Sequence, residues 1–472
     1  MKQEQTKIQV SLTEGITILV VMMLILGLGV IKFQLSPEVP ILVVIGLLML
    51  WARVRHFSWD RINQGLVEGV STGIIPIFIF ILIGALISTW IMSGVIPSLM
   101  VFGFQLITAR WFLPSVFLVC AIVGSAIGSA LTVISTVGIA FLGMGITMGL
   151  NPAMIAGAII SGAVFGDKTS PLSDSTNLAA AIVGADLFSH IKNLMWSTIP
   201  AFFVALIGYM LIGPTSSQFD SSAITKTVTT LNQHFFISPW ALLPIGLMFV
   251  CAWIKIPSIP TLFINIAVAV GMIFMTQPRT SLAKIVDVIV NGFVAKTGNT
   301  NVDTLLSRGG ILAMMSTVSL VIMALGLGGM LMNLGIIEAV MVPVSKHLKS
   351  PSALVTATIL SGIGVNLFVG EQYLASILPG NAFKETYKRA GLAPVALSRV
   401  LEDGGTVINY LVPWGVAAVF TANALGIPTL QYLPFVFFSL ASPIFSLLSA
   451  YTGIGLKHLK SNSKDSKELA GN

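Results

Sequence analysis

A chain of 472 residues with 55% hydrophobic and 9% charged side chains is far from the composition of a soluble protein, in which about a quarter of residues are charged. It reads as an all-α polytopic membrane protein. The formal charge of +7 then bears on loop orientation rather than on nucleic acid, because the basic residues sit mostly in loops and the tail. Cys120 and Cys251 lie in apolar runs, which argues against a disulfide framework and a cysteine metal site; no cofactor is expected.

In chain order, residues 1–13 are polar and read as cytoplasmic. Gly15–Phe33 is long enough to span, a crossing helix needing about 20 apolar residues, and its length without a following small-residue cleavage site distinguishes it from a signal peptide. Val39–Trp51 can return across the bilayer. The basic, aromatic loop Ala52–Gln64, with Arg53, Arg55 and Arg61, reads as an inner-leaflet anchor. Spans are expected near 71–93, 112–131 and 133–150, with a shorter segment at 96–109. Next comes Ser161–Asn177, whose polar residues sit between apolar segments and whose Gly166 and Pro171 are read as helix breaks. A long helix near 188–213 follows, with Asp186 as its cap. Residues 214–237 are rich in Ser and Thr and poor in positive charge. Two more spans are expected near 238–254 and 257–277, and residues 278–307 are the most polar internal segment. A second apolar block runs from Gly309 to about Tyr451, broken near 380–406. About 11–13 transmembrane segments result, the short ones being candidates for re-entrant hairpins.

The two apolar blocks read as a repeat. Leu66–Gly69 pairs with Leu306–Gly309, Ser93–Ile96 with Leu334–Ile337, Gly128-Ser129 with Gly370-Glu371, and, allowing a deletion, Asn177 with Asn409. Two copies broken in corresponding places are the mark of transporters that bind substrate at the repeat interface. The resulting division is 1–65 (N-terminal helices and basic loop), 66–213 (first repeat), 214–307 (connector with two helices), 308–455 (second repeat) and 456–472 (tail). The tail and its approach carry Lys457, Lys460, Lys464 and Lys467 and read as cytoplasmic. Inverted repeats put 214–237 outside and Lys255 inside. They also put 278–307 outside despite Arg279, Lys284 and Lys296, against the positive-inside rule.

Five of the 18 acidic residues lie in apolar surroundings: Asp167, Asp174, Glu371, Glu402 and Asp403. A charge at the bilayer centre costs about 2.5–3.5 kcal/mol on insertion scales, so such residues are functional candidates. Sodium is a hard cation that takes oxygen ligands, by analogy with calcium and magnesium. Ser173, Asp174, Ser175, Thr176 and Asn177 offer an oxygen at every position, with Ser173, Asp174 and Asn177 foremost for the ion. The second break offers Glu402, Asp403, Thr406 and Asn409. Plainer roles stay open: Ser173 or Asp174 as a helix cap, Asp167–Lys168 as a local pair, Arg399 pairing with Glu402 or Asp403 along one helix. The five histidines read as interfacial.

The run Gly166-Asp167-Lys168-Thr169-Ser170-Pro171-Leu172-Ser173-Asp174-Ser175-Thr176-Asn177-Leu178-Ala179, continued by Gly184–Ile191, resembles the NhaC family of sodium/proton antiporters. The similarity extends through Arg308-Gly309-Gly310 and Glu402–Thr406. The resemblance implies a secondary transporter of the bacterial cytoplasmic membrane exchanging sodium for protons, and not an enzyme. It also implies a relation to the ion-transporter superfamily, with two inverted repeats and re-entrant hairpins. Carried over, the motif points to Asp167, Ser173, Asp174, Thr176 and Asn177. The family includes members resembling a malate/lactate antiporter, so a carboxylate exchanger is the alternative, with Arg399 as anion contact. Lipid, Na+ and H+ are the expected partners, with small carboxylates under the alternative. A homodimer is compatible with the fold class. A passive channel would need weak binding at several sites along an open path.

Overall fold

The computed structural model describes residues 9–106, 109–213, 221–348 and 350–459; Lys460, Lys464 and Lys467 lie outside them. Every named element among the described residues is helical. The first block contains α1 (Leu12–Gly27), α2 (Glu38–Val54), α3 (Trp59–Ser71), α4 (Ile74–Met92), α5 (Val95–Leu106), α6 (Phe112–Ile127), α7 (Ala130–Ser135), α8 (Val137–Thr147), α9 (Pro152–Thr169), α10 (Asp174–Val183) and α11 (Leu187–Ile212). The connector holds α12 (Ser221–His234), α13 (Leu243–Trp253), α14 (Ser258–Thr276), α15 (Leu282–Asn291) and α16 (Thr300–Leu306). The second block holds α17 (Met315–Asn333), α18 (Ile336–His347), α19 (Pro351–Val369), α20 (Gln372–Arg389), α21 (Pro394–Leu401), α22 (Val416–Leu425), α23 (Thr429–Tyr432) and α24 (Phe437–Thr452).

Among the described residues, six helices are long and apolar enough to cross a membrane, and counting each of three sharply bent pairs as one span raises the number to nine. The apolar helices α5, α6 and α8 are shorter. Part of the 11–13 expected segments is therefore made of short and bent pieces rather than straight spans.

Glycine brings the innermost helices together. A Cβ on Gly69 of α3 would lie 2.1 Å from the Leu325 carbonyl oxygen of α17, and one on Gly329 would lie 2.1 Å from that of Gly65. Backbone thus meets backbone, the close packing that small residues permit in membranes. The pair α6 and α9 repeats the device: a Cβ on Gly166 would come within 2.5 Å of the Gly124 backbone. Gly166 is therefore a packing position and not a break. Helix α9 runs on through it to Thr169, and the interruption is Ser170–Ser173. The second break also differs from the expected 380–406. Helix α20 is continuous to Arg389. A turn at 390–393 leads to α21, which passes into a π-helical turn at Glu402–Thr406, a short 3₁₀ turn at Asn409–Leu411 and a tight turn at 412–415 closed by the Gly415 N–H on the Val412 carbonyl.

The two blocks share a backbone pattern. Gly128 ends α6 at φ +74° and Gly370 ends α19 at φ +73°, a left-handed conformation that favours glycine. Each is followed by an extended residue whose side chain caps the next helix: Ser129 accepts from the Thr132 N–H and Glu371 from the Leu374 N–H. Gly149 and Gly184 recur in the same way at Gly391 and Gly426, and Gly94 at Gly335. The spacing is 242 residues for the first three pairs and 241 for the last. Two sequence pairings do not survive this register. Leu66–Gly69 lies inside α3, whereas Leu306–Gly309 is a helix end and a turn. The residue in register with Asn409 is Asp167, not Asn177.

Candidate functional site

The register brings both breaks to one pocket, in which Asp167 and Glu371 are buried and Asp174 is exposed. Its wall is built from Gly128-Ser129-Ala130-Leu131 and their counterparts Gly370 + Glu371-Gln372-Tyr373, of which the last three line it. Asp167 and its counterpart Asn409 also line it, as do Asp174-Ser175 and their counterparts Val416-Ala417. The cavity measures about 50 Å³. Its wall includes three carboxylates, Asp167, Asp174 and Glu371, and no lysine, arginine or histidine. Ser258, at the start of α14, completes one side. The first residues of α7, α10, α14, α20 and α22 all line this space, so five helix N-termini bias it toward negative charge. Among the described residues, no three acidic, histidine or cysteine side chains close on one point as a metal cage; the carboxylates line the pocket separately.

Each member is held by its own break. Glu371 caps α20 through the Leu374 N–H at 2.8 Å. Ser173 caps α10, its hydroxyl 3.0 Å from that of Ser175, and lies beside Asp167. The Thr176 hydroxyl donates to the Asp167 and Lys168 carbonyls, both at 3.3 Å, which ties α10 to the open end of α9. Asn409 braces the second break: its amide donates to Asn366 Oδ1 at 2.7 Å and the Gly370 carbonyl at 3.0 Å, and its oxygen accepts from the Ala417 N–H at 2.8 Å. Asn177 faces away from the pocket. Its side chain is exposed, and its amide donates to the Pro171 and Ser173 carbonyls at 3.0 and 2.7 Å.

Glu402, Asp403, Thr406 and Arg399 do not line the pocket. They belong to a second buried cluster. Lys168 of α9 pairs with Asp403 of the π turn, both side chains fully buried. Ser442 and Ser446 of α24 donate to Asp403 at 2.5 and 2.6 Å, and Lys168 donates to Ser442 at 2.8 Å and Ser197 at 3.4 Å. Asp167-Lys168 is therefore not a local pair: the two side chains serve different sites. Glu402 lies between the sites, with Lys168, Asp167 and Asp403 as charged neighbours. Neither of its oxygens has a hydrogen-bond partner among the described residues, with Thr406 beside it. Arg399 is fully buried and donates to the Gly455 carbonyl at 3.1 Å and Ser449 at 2.9 Å, on the C-terminal segment. His190 is not interfacial: it is buried, with Nδ1 2.7 Å from the Ser398 hydroxyl.

Ser129, Ser258, Gln372 and Tyr373 were not singled out as site residues by the sequence. They carry no buried charge, and the constant spacing of 242 is the signal that would have found Gln372 and Tyr373 from Ala130 and Leu131.

Similar proteins give this geometry a context. The chain is 39% identical over 446 residues to the protein named Na(+)/H(+) antiporter NhaC of Alkalihalophilus pseudofirmus, covering 94% of this chain and 96% of that one. It is 36% identical over 449 residues to the protein of the same name from Bacillus subtilis, covering 95% and 99%. It is 32% identical over 415 residues to a Bacillus subtilis protein named malate-2H(+)/Na(+)-lactate antiporter, covering 88% of each. Residues 162–454 match the Na+/H+ antiporter family, a stretch that contains both breaks, the pocket carboxylates and the Lys168–Asp403 pair. The chain is a multi-pass membrane protein of the Na+/H+ antiporter family.

Proposed function

We propose that this protein exchanges sodium for protons by alternating access, with Asp167, Asp174 and Glu371 holding either ion in turn. The observation that carries the reading is the pocket: three carboxylates and no cationic side chain around about 50 Å³. That volume suits a small ion with one or two waters. Sodium takes oxygen ligands, by the analogy drawn above, and Ser129, Ser175 and the freed backbone of both breaks stand beside the carboxylates. A carboxylate that takes up a proton gives up its claim on the cation, and one that releases it regains the claim. Exchange follows if the pocket opens to each side in turn. The helix N-termini around the pocket hold the carboxylates without a basic partner that would compete with the ion.

The same reading puts the protein in the bacterial cytoplasmic membrane with both termini inside, supported by Arg53 in the last turn of α2, Arg55 just after it and Arg61 in the first turn of α3, the expected basic loop Ala52–Gln64 being largely helical instead. The shared backbone pattern supports two transport repeats, 66–213 and 308–455, inverted in the membrane as in many carriers.

Exchange of a small carboxylate is the second reading. Five convergent helix N-termini favour an anion, and one relative is named for malate and lactate. Against it stand the three carboxylates and Arg399, which is engaged by Ser449 and Gly455.

The test is reconstitution in liposomes holding a pH-sensitive dye, with a sodium gradient and no organic anion. Proton movement in the wild type that disappears in Asp174→Asn is the expected result. A wild type that is silent until malate or lactate is added would move the protein to the second reading. An Asp174→Asn variant with full exchange would remove Asp174 from the coupling site.

A further inference from the structure

A second chamber opens beside the pocket. It measures about 500 Å³ and shares Ile79, Asp174 and Ser258 with the pocket wall. Its outer wall is the turn between α13 and α14, Ala252 and Lys255–Pro260. Asp174 and Lys255 are its charged lining residues, one at the inner end and one on the turn. From Leu243 to Thr276 the sequence holds no other charge than Lys255. No ion pair of Lys255 occurs among the described residues, and its side chain is exposed. The backbone presents it in an unusual way. Lys255 adopts φ +59°, a left-handed conformation uncommon for a residue with a side chain. Its N–H donates to the Ala252 carbonyl at 3.0 Å, and the Ile256 N–H to that of Cys251 at 2.9 Å. The tight turn holds a lone cation over the approach to an acidic pocket.

We propose that this chamber is the route by which sodium reaches the pocket from one side of the membrane, and that Lys255 is a specificity-determining residue that sets the apparent sodium affinity from that side. The proposal rests on the sodium/proton reading of the pocket and names the entrance to it. The physical reason is the sign of the charge. A cation entering past a fixed ammonium meets repulsion before it meets Asp174, so the pocket fills only at higher sodium. For charges on the order of 10 Å apart in a half-wet space, the effect on occupancy is about three-fold at low salt and fades as salt screens it. Such a residue tunes the carrier to a compartment rather than taking part in the exchange.

The test reads half-saturating sodium in two ways, from sodium-driven proton flux in liposomes and from sodium-dependent thermal stabilisation of the purified full chain. Lys255→Gln should lower it about three-fold at low salt and Lys255→Glu about ten-fold, both differences collapsing in 0.5 M choline chloride, roughly the regime of a Debye length near 4 Å. Independently, Ile259→Cys places a thiol on the chamber wall, Cys120 and Cys251 being buried. A cationic methanethiosulfonate should then raise half-saturating sodium and an anionic one of similar size should lower it. Unchanged values in both Lys255 variants, or equal shifts with reagents of either charge, would overturn the proposal. Charge-dependent shifts in sodium stabilisation from a wild type that moves no protons would keep the entrance and overturn the exchange reading instead.

Discussion

The Lys168–Asp403 pair offers the sharpest perturbation. Both side chains are fully buried, and the pair joins α9, the π turn at Glu402–Thr406 and α24 through Ser442 and Ser446. Removing one partner of a buried pair costs about 3–5 kcal/mol, because the other charge is stranded. The surroundings decide where in that range each variant falls. In Lys168→Met, Asp403 keeps two short hydroxyl donors, and hydrogen bonds to a charged group are worth about 1.5–3 kcal/mol each; the loss should lie near 3 kcal/mol. In Asp403→Leu, Lys168 keeps the Ser442 hydroxyl at 2.8 Å and a long contact to Ser197 at 3.4 Å, so the loss should approach 5 kcal/mol. The double variant Lys168→Met/Asp403→Leu strands no charge and should be no worse than the milder single variant, a coupling of about 5 kcal/mol or more. Melting of the detergent-purified protein, followed by tryptophan fluorescence, gives the ranking. Single variants that melt with the wild type, or a double variant as damaged as the sum of the two, would refute the stranded-charge account.

Glu371 both caps α20 and lines the pocket, and Glu371→Asn separates the roles: asparagine caps as well as an acid, so melting should hold while sodium-driven proton flux falls at least ten-fold. Gly329→Ala would put a methyl 2.1 Å from the Gly65 carbonyl oxygen, so α3 and α17 must part; a cost of about 1–3 kcal/mol is expected, seen as a lower melting temperature that Gly271→Ala, at a position with open space, does not produce. Asp303 lies in the connector outside the spans, where the Thr297 N–H and hydroxyl hold its carboxyl below the usual carboxylate range. A depressed folded value means its contribution is present above the unfolded value and lost as pH falls through the folded one. Asp303→Ala should therefore lower the melting temperature at pH 7, and the difference should shrink as pH falls below the usual carboxylate range.

The polar run Ser161–Asn177 could be located from the sequence because polar oxygen in an apolar block is expensive and conspicuous. The spacing of Gly128-Ser129 and Gly370-Glu371 was legible for a similar reason: a helix that ends in left-handed backbone tends to use glycine. Which side chains meet was less legible. Asp167 and Lys168 are neighbours in sequence, yet consecutive residues point about 100° apart on a helix, so one reaches the pocket and the other the π turn. Glu402 and Asp403 stand near the second break, but their turn faces α9 and α24, not the pocket. Asn177 offers an oxygen in the right run, and the local turn at Pro171 uses its amide first. These outcomes depend on helix rotation, which the positions of charges in a chain do not encode.

Duplicated backbone with divergent side chains is the feature that best joins fold to transport. At corresponding places the pocket has Ser129 and Glu371, Asp167 and Asn409, Asp174 and Val416. Each copy therefore contributes the same bend, and no acid of one copy faces an acid at the matching place of the other. Placing carboxylates at all six positions would pack like charges into about 50 Å³, where mutual repulsion would keep several of them protonated and leave less room for an ion. Distributing them leaves three acids for cargo, while Asn409, a neutral residue with the same bonding reach, braces three chain segments where its counterpart Asp167 lines the pocket. If both halves can adopt the same pair of bends, the two arrangements of the carrier differ little in backbone energy. The occupancy of the pocket, sodium or proton, is then enough to bias which is populated. Asn409→Asp tests this directly: a fourth acid in the pocket with the brace weakened should lower half-saturating sodium or melting temperature, and a variant unchanged in both would mean that the asymmetry has no role in holding the ion.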